Sequence, residues 1–196
     1  MYQNITGIIL AGGKSSRMGT NKALLKINGI TIIEHIFKVI SSLTQNIIIS
    51  SNSDEYNFLR CQILHDEIEN IGPAGGIYTC LKNSKTVKNI ILSCDTPFIN
   101  ADLIKYIIES SEDYDSTIPI CNDFVEPLAG IYSKNIINII ENEIGKNNFS
   151  IFKIIKKSNY KLLEINEKLN FYNKNMFLNI NNLNDYNNIK QLTDES

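Results

Sequence analysis

Thr6-Gly7-Ile8-Ile9-Leu10-Ala11-Gly12-Gly13-Lys14-Ser15-Ser16-Arg17-Met18-Gly19-Thr20-Asn21-Lys22 joins a short apolar run to a loop rich in glycine and cations. The apolar run, bounded by glycine, predicts a buried strand over Thr6 to Leu10. Adjacent Gly12 and Gly13 let backbone N–H groups approach an anion with no Cβ in the way. Lys14, Arg17 and Lys22 are spaced so that a loop, unlike a helix face, can bring them onto one phosphate chain, and Arg17 can grip it bidentately. A triphosphate is the natural guest. Two familiar phosphate loops are excluded. A Walker A loop needs glycine five residues before Gly13, where the chain has Ile8. The dinucleotide fingerprint needs spaced glycines, and here they are adjacent, with the next at Gly19.

Working outward, Ile47 to Ser50, Gln62 to Leu64, Asn89 to Ser93 and Ser116 to Ile120 read as further strands, with amphipathic segments between the earlier ones. That alternation predicts an α/β fold: a Rossmann-like, doubly wound, mostly parallel sheet. Asn28-Gly29 is a turn, and Thr31 with Glu34 forms a capping box opening a helix to about Leu43. Asp54 and Asn100 are expected N-caps of the helices after the second and fourth strands. Further helices are expected over Lys134 to Ile144, over Ser150 to Ser158 and after Asn182. No linker or repeat divides the chain. One domain over 1–196 is expected, with a nucleotide-binding half to about residue 115 and an acceptor-binding half beyond it.

The chain has 196 residues, 43% of them hydrophobic, enough to bury one substantial core. A formal net charge of -2 provides no broad positive field, so neither nucleic acid nor an anionic membrane is an expected partner. Cys61, Cys80, Cys94 and Cys121 contain no C-x-x-C pair, and buried thiols in a reducing compartment are expected. The start, Met1-Tyr2-Gln3-Asn4, has no basic region, and the apolar run behind it is too short for a signal or membrane span, so a cytoplasmic protein is expected. Asn, Ile and Lys are overused throughout, which weakens any single Asn or Lys as a signal. Clustered glycine is more informative: six of the ten, Gly12, Gly13, Gly19, Gly72, Gly75 and Gly76, fall in two short stretches.

Open α/β sheets bind ligands outside the carboxyl ends of their strands, and the remaining motifs fall there. Ile91-Leu92-Ser93-Cys94-Asp95-Thr96-Pro97-Phe98 delivers a carboxylate where an apolar strand opens. Asp95 suits Mg²⁺, which takes one or two carboxylates and completes its shell with substrate phosphate and water. Its alternative is an Asx or N-cap role before Pro97. Ile71-Gly72-Pro73-Ala74-Gly75-Gly76 reads either as N–H groups facing a base or anion or as a plain helix start before Ile77. Asn52 and Asp66 follow the second and third strands; an amide and a carboxylate suit guanine's edges, but each also suits an ordinary loop. His35 and His65 have no nucleophile and acid around them.

The stretch L-A-G-G-x-x-x-R-M-G-x-x-K at Leu10 to Lys22 resembles the molybdenum cofactor guanylyltransferases, within the nucleotidyltransferases of nucleotide-diphospho-sugar transferase-like fold. The segment Cys94-Asp95-Thr96-Pro97-Phe98 is similar to theirs without a mismatch. Ile71 to Gly76 resembles their G-P-L-A-G stretch, with Ala74 directly after the proline. Glu126-Pro127-Leu128-Ala129-Gly130-Ile131-Tyr132 resembles their P-L-x-G-x-Y strand, with Glu126 where relatives often have His. Phe177-Leu178-Asn179-Ile180-Asn181-Asn182-Leu183 resembles F-x-N-x-N-T-P, with Asn182-Leu183 replacing Thr-Pro. Around Gly145-Lys146-Asn147-Asn148 relatives often have a basic loop; here Lys146 remains, followed by Lys153, Lys156 and Lys157.

The resemblance, from about residue 5 to 190, implies transfer of GMP from GTP to molybdopterin cofactor, giving the guanine dinucleotide and pyrophosphate with Mg²⁺. It implies nucleotide contacts at Leu10, Ala11, Gly12, Gly13, Lys22, Asn52, Asp66, Gly75 and Asp95, with Arg17, Lys22 and Asp95 catalytic and Asp95 holding the metal. Pro127, Asn179 and Asn181 would meet the acceptor, the two asparagines from one face of a strand. Transient contact with molybdoenzymes or cofactor-insertion proteins is the expected macromolecular partnership. Two alternatives stay open: a nucleotidyltransferase using CTP or a sugar-phosphate acceptor, and a catalytically silent nucleotide-binding module that delivers cofactor.

Overall fold

The computed structural model describes residues 1–12 and 21–194. In chain order it runs β1 (Ile5–Leu10), a 3₁₀ turn (Lys22–Leu24), β2 (Lys26–Ile27), β3 (Ile30–Thr31), α1 (Ile32–Ser41), β4 (Ile47–Ser50), a second 3₁₀ turn (Asp54–Leu59) and β5 (Gln62–Leu64). It continues with α2 (Pro73–Asn83), β6 (Lys88–Ser93), α3 (Ala101–Glu109), β7 (Ser116–Cys121), β8 (Phe124–Val125), β9 (Ala129–Ser133) and a third 3₁₀ turn (Lys134–Ile136). The last elements are α4 (Ile137–Gly145), α5 (Ile151–Ile155), β10 (Tyr160–Glu164) and α6 (Leu183–Asp194). Among the described residues no helix is long and apolar enough to cross a membrane.

The main sheet has the order β10-β7-β9-β6-β1-β4-β5, with β8 added to β7. Neighbours along this path are parallel except where β9 runs antiparallel to both β6 and β7. β1 is central, and its alternating side chains serve two cores. Ile5 and Ile9 point to the face covered by α1 and α3, with Ile33, Ile36, Ile40, Leu103 and Ile107. Ile8 and Leu10 point to the face covered by α2, α4 and α5, with Ile77, Leu81, Ile140 and Ile154. Each fully buried isoleucine contributes about 1.5–3 kcal/mol relative to exposure. An apolar run buried on both faces is the sequence signature of a central parallel strand. The expected doubly wound, mostly parallel α/β domain is what forms.

Local chemistry sets the ends of elements. Asn28 and Gly29 both have positive φ (51° and 77°), the backbone of a two-residue hairpin turn between β2 and β3. Thr31 and Glu34 form the full capping box of α1, and the Asn100 side chain accepts from Leu103 N–H at the start of α3. Three expectations need correcting. Asp54 does not cap: Ser53 does, and the segment is a 3₁₀ turn rather than an α-helix. The two helices expected over Lys134 to Ser158 are shorter than expected, α4 starting at Ile137 and α5 ending at Ile155.

The third correction concerns Asn179 and Asn181, which lie outside any strand. The Asn182 side chain accepts from Asn184 and Asp185 N–H, and Asp185 accepts from Asn181 and Asn182 N–H. Side chains thus take the backbone donors that a strand ladder would need. The result is a reciprocal cap on α6, which explains the Asn182-Leu183 pair physically. α6 then packs on the β2–β3 hairpin, through Ile27, Ile32, Ile180 and Ile189 and the Tyr186 hydroxyl on Lys26 O.

Candidate active site

The parallel strands end on one side of the sheet, over a cleft of about 820 Å³. Leu10, Gly12, Lys22, Asn52, Asp66 and Asp95 all line it, although they come from four different strand ends and the first 3₁₀ turn. Ala11 is tied to the same edge by its N–H on Ser50 O. Gly13, Lys14, Arg17 and Gly19 lie outside the described residues.

Lys22 and Asp95 meet across the mouth of this cleft, with Nζ 2.8 Å from Oδ2 and side chains 25% and 17% exposed. Both ends of the pair are anchored. Asn21 caps the 3₁₀ turn carrying Lys22 and donates to Glu55 Oε2 and the Tyr56 hydroxyl, each at 2.9 Å. Beside Asp95, Cys94 N–H donates to Leu10 O, and Asp95 O accepts from Ile180 N–H. Asn179 and Asn181, both exposed, therefore flank the residue that hydrogen-bonds Asp95, despite lying on coil.

On the opposite wall, α2 begins with Pro73, and Gly75 and Gly76 bring its first turn against β4 and Asp66. A Cβ on Gly75 would lie 2.4 Å from Ile68 O, so only glycine fits that approach. Asp66 accepts from the Ser50 hydroxyl at 2.9 Å, and its N–H donates to Asn52 Oδ1 at 3.0 Å. Burial raises the Asp66 carboxyl above its ordinary range, the Ser50 hydrogen bond opposes this, and Glu69 adds to it. Gly75 does not line the cleft itself; Gly72, Pro73 and Gly76 do. The helix-start reading of this stretch and its position beside the cleft are both correct.

The β8–β9 turn forms the remaining wall through Leu128. Ser93 N–H donates to Leu128 O, and Pro127 O accepts from the buried Tyr132 hydroxyl. Glu126 is half-buried, and burial followed by the nearby charge of Asp95 raises its carboxyl above the usual range. Two of the lysines in the 146–157 region, Lys146 and Lys157, are tied to one acid. Glu143, almost fully buried, holds Lys157 at 2.6 Å and Lys146 at 3.2 Å, and accepts from Asn148 at 2.6 Å.

Sequence reading missed Ser50, Glu69 and Asn70 among the lining residues, and placed Ser93 and Leu128 only within longer motifs. Ser50 and Ser93 carry a weak signal, as polar residues ending apolar runs; they are opposite each other across Leu10. All four cysteines are free, and burial pushes the Cys80 and Cys94 thiols up to about 12, which makes them inert packing groups.

Asp95, a partly exposed carboxylate lining a cleft large enough for a nucleotide, is a suitable donor for a divalent cation. Among the described residues no group of three or more His, Cys, Asp or Glu could hold a metal. A cation at Asp95 would need its other donors from substrate and water, as Mg²⁺ commonly takes them.

Residues 7–159 match the MobA-like NTP transferase domain. A protein of Carboxydothermus hydrogenoformans described as "probable molybdenum cofactor guanylyltransferase" is 36% identical over 186 residues, covering 94% of each chain. A crystal structure from Aquifex aeolicus superposes with a TM-score of 0.76 at 30% identity, covering 91% of this chain and 93% of that one. Molybdopterin-guanine dinucleotide biosynthesis protein A from Archaeoglobus fulgidus superposes at 0.81 with 19% identity, covering 97% and 100%, and so shares the fold. With its glycine loop, its Asp95 strand end and these matches over most of its length, the chain belongs to the family of MobA-like NTP transferases.

Proposed function

We propose that this chain transfers GMP from GTP to molybdopterin, forming the guanine dinucleotide and releasing pyrophosphate. The observation that carries this reading is the meeting of Lys22 and Asp95 in a cleft that Leu10 and Gly12 line at the end of β1. The terminal phosphate of the acceptor attacks the α-phosphorus; the new P–O bond forms as the bond to the β-phosphate oxygen breaks. A phosphate dianion is already a nucleophile, so no side chain needs to remove a proton. Lys22, together with Arg17 of the glycine loop, neutralises charge on the triphosphate and leaving pyrophosphate. Asp95 would hold Mg²⁺, whose chemistry is to polarise phosphate oxygens. Asp66 and the amide of Asn52 offer an acceptor and a donor for guanine's N–H groups and carbonyl. Leu128 lines the cleft, Pro127, Asn179 and Asn181 beside it would meet the acceptor, and holding both reactants in one cleft supplies orientation. The same reading puts the reaction in the cytoplasm.

Pyrophosphate release by purified protein with Mg²⁺, molybdopterin and each nucleoside triphosphate in turn tests it. Release with GTP alone is expected; release with CTP and not GTP would overturn the guanylyl assignment. Asp95→Asn should lower turnover about 100-fold or more, in the range for loss of a charge-stabilising group. Unchanged turnover would remove Asp95 from the machinery.

A further inference from the structure

We propose that Lys22 stands in for the divalent cation in the nucleotide-free protein, so that nucleotide binding creates the metal site on Asp95. The inference rests on the reading that Asp95 holds a divalent cation beside the nucleotide phosphates. The Lys22 ammonium lies 2.8 Å from Asp95 Oδ2, on an oxygen that a cation would use. A metal ion approaching Asp95 alone meets a carboxylate already neutralised, and a second positive charge at close range.

The two backbones are fixed. The Lys22 turn is held through Asn21 by Glu55 and Tyr56, and the Asp95 segment by Leu10 and Ile180. What can move is the lysine side chain, a flexible stem ending in three donors. Its side chain is a quarter exposed and borders the cleft, so the ammonium can swing from the carboxylate to a phosphate without leaving the site. A triphosphate offers it a more concentrated negative charge than one carboxylate does. Once the ammonium has moved, Asp95 is a free ligand next to phosphate oxygens. Metal and nucleotide then favour each other's binding, and by linkage the coupling is the same from either side. Lys22 thus keeps the bare carboxylate from collecting a metal before the substrate is present.

The test measures Mn²⁺ binding without turnover, from the electron paramagnetic resonance signal of free Mn²⁺, with and without GTP. Lys22→Met keeps the stem and removes the charge. Without GTP it should bind Mn²⁺ about tenfold more tightly than wild type, within the usual range of coupling between sites. Lys22→Gln should behave like Lys22→Met, so the test survives if one variant fails to fold. Lys22→Arg should stay as weak as wild type, and Lys22→Met with Asp95→Asn should lose the gain. Equal or weaker Mn²⁺ binding by folded Lys22→Met or Lys22→Gln in the absence of GTP would overturn the stand-in role. Wild type that binds no Mn²⁺ even with GTP is a different result: it would remove the cation from Asp95, and the proposal with it.

Discussion

Gly76→Ala probes how tightly the floor of the cleft is assembled. A Cβ built on Gly76 falls 2.3 Å from Ser50 Oγ, 3.2 Å from Ser50 Cβ and 3.3 Å from Asp66 Oδ1. The added methyl therefore claims the place of the hydroxyl that donates to Asp66 at 2.9 Å, and Ser50 must rotate away. A hydrogen bond to a charged group is worth about 1.5–3 kcal/mol. Asp66 is half-buried, so water replaces part of it and the lower figure applies. Alanine gains up to about 1 kcal/mol over glycine inside a helix, and less here, in the first turn of α2. The single variant should lose about 1 kcal/mol. Ser50→Ala alone should lose about 1.5 kcal/mol, the same hydrogen bond. With the hydroxyl already gone, Gly76→Ala meets only the tight Cβ contact, partly offset by helix propensity, and should be close to neutral. The double variant should be about 1 kcal/mol more stable than the sum of the singles predicts. Urea unfolding of the four proteins measures this, since distant sites add to within about 0.5 kcal/mol. Additive losses would refute the claim that a methyl at position 76 and the Ser50 hydroxyl bonded to Asp66 compete for one place.

The Glu143 cluster predicts acid sensitivity. Hydrogen bonds from Lys157, Asn148 and Lys146 hold its carboxyl down to about 2, below the ordinary carboxylate range in the unfolded chain. Its stabilisation is thus complete above about pH 5 and lost as pH falls toward 2. Glu143→Gln should be less stable than wild type at pH 7, with the gap between the two denaturation midpoints narrowing as pH falls from about 5 toward 2; an equal gap at pH 7 and near pH 2 would sink the assignment. Gly72 and Gly145 form a contrasting pair, since a Cβ on either meets open space. Gly72 has φ 66° and ψ -152°, a region nearly closed to other residues, so Gly72→Ala should cost about 1–3 kcal/mol. Gly145 has no positive φ, so Gly145→Ala should gain about 0.4–1 kcal/mol. Melting temperatures moving in the same direction would contradict this reading.

The central strands were legible because burial on both faces demands unbroken apolar runs, and Ile8-Ile9-Leu10 and Ile90-Ile91-Leu92 are short, rich in isoleucine and followed by loop residues. α1 and α3 were legible because Thr31 and Asn100 carry the hydrogen bonds that start them. β10 was not, since Tyr160-Lys161-Leu162-Leu163-Glu164 lies at the sheet edge, where only Leu163 is buried and polar residues are tolerated. The alternation at Asn179 to Asn181 suggested a strand, but asparagine is the residue most able to trade a ladder for local side-chain bonds. Asp95, Lys22 and Asp66 could be named from spacing and resemblance. Ser50 could not, because its role exists only once β4 lies beside β5 and α2 turns back over both.

The insertion of β9 between β6 and β7 was equally hidden, and it is what completes the site. A parallel strand there would begin at the far edge of the sheet; running antiparallel, β9 begins at the cleft. The Glu126-Pro127-Leu128 turn is thereby brought to the ends of β1 and β6, and Leu128 O can accept from Ser93 N–H. Leu10 O takes Cys94 N–H on one side, and Ile180 N–H reaches Asp95 O on the other. Segments about 85 residues before and after Asp95, and one nearer in sequence, thus fix one short stretch of backbone. If Asp95 holds a cation beside a reacting phosphate, as proposed, it would gain from such fixation, because displacement by about 1 Å can cost about 100-fold in rate. On the proposed mechanism the anchored backbone of Asp95 would define the position, and the flexible side chain of Lys22 would supply the motion.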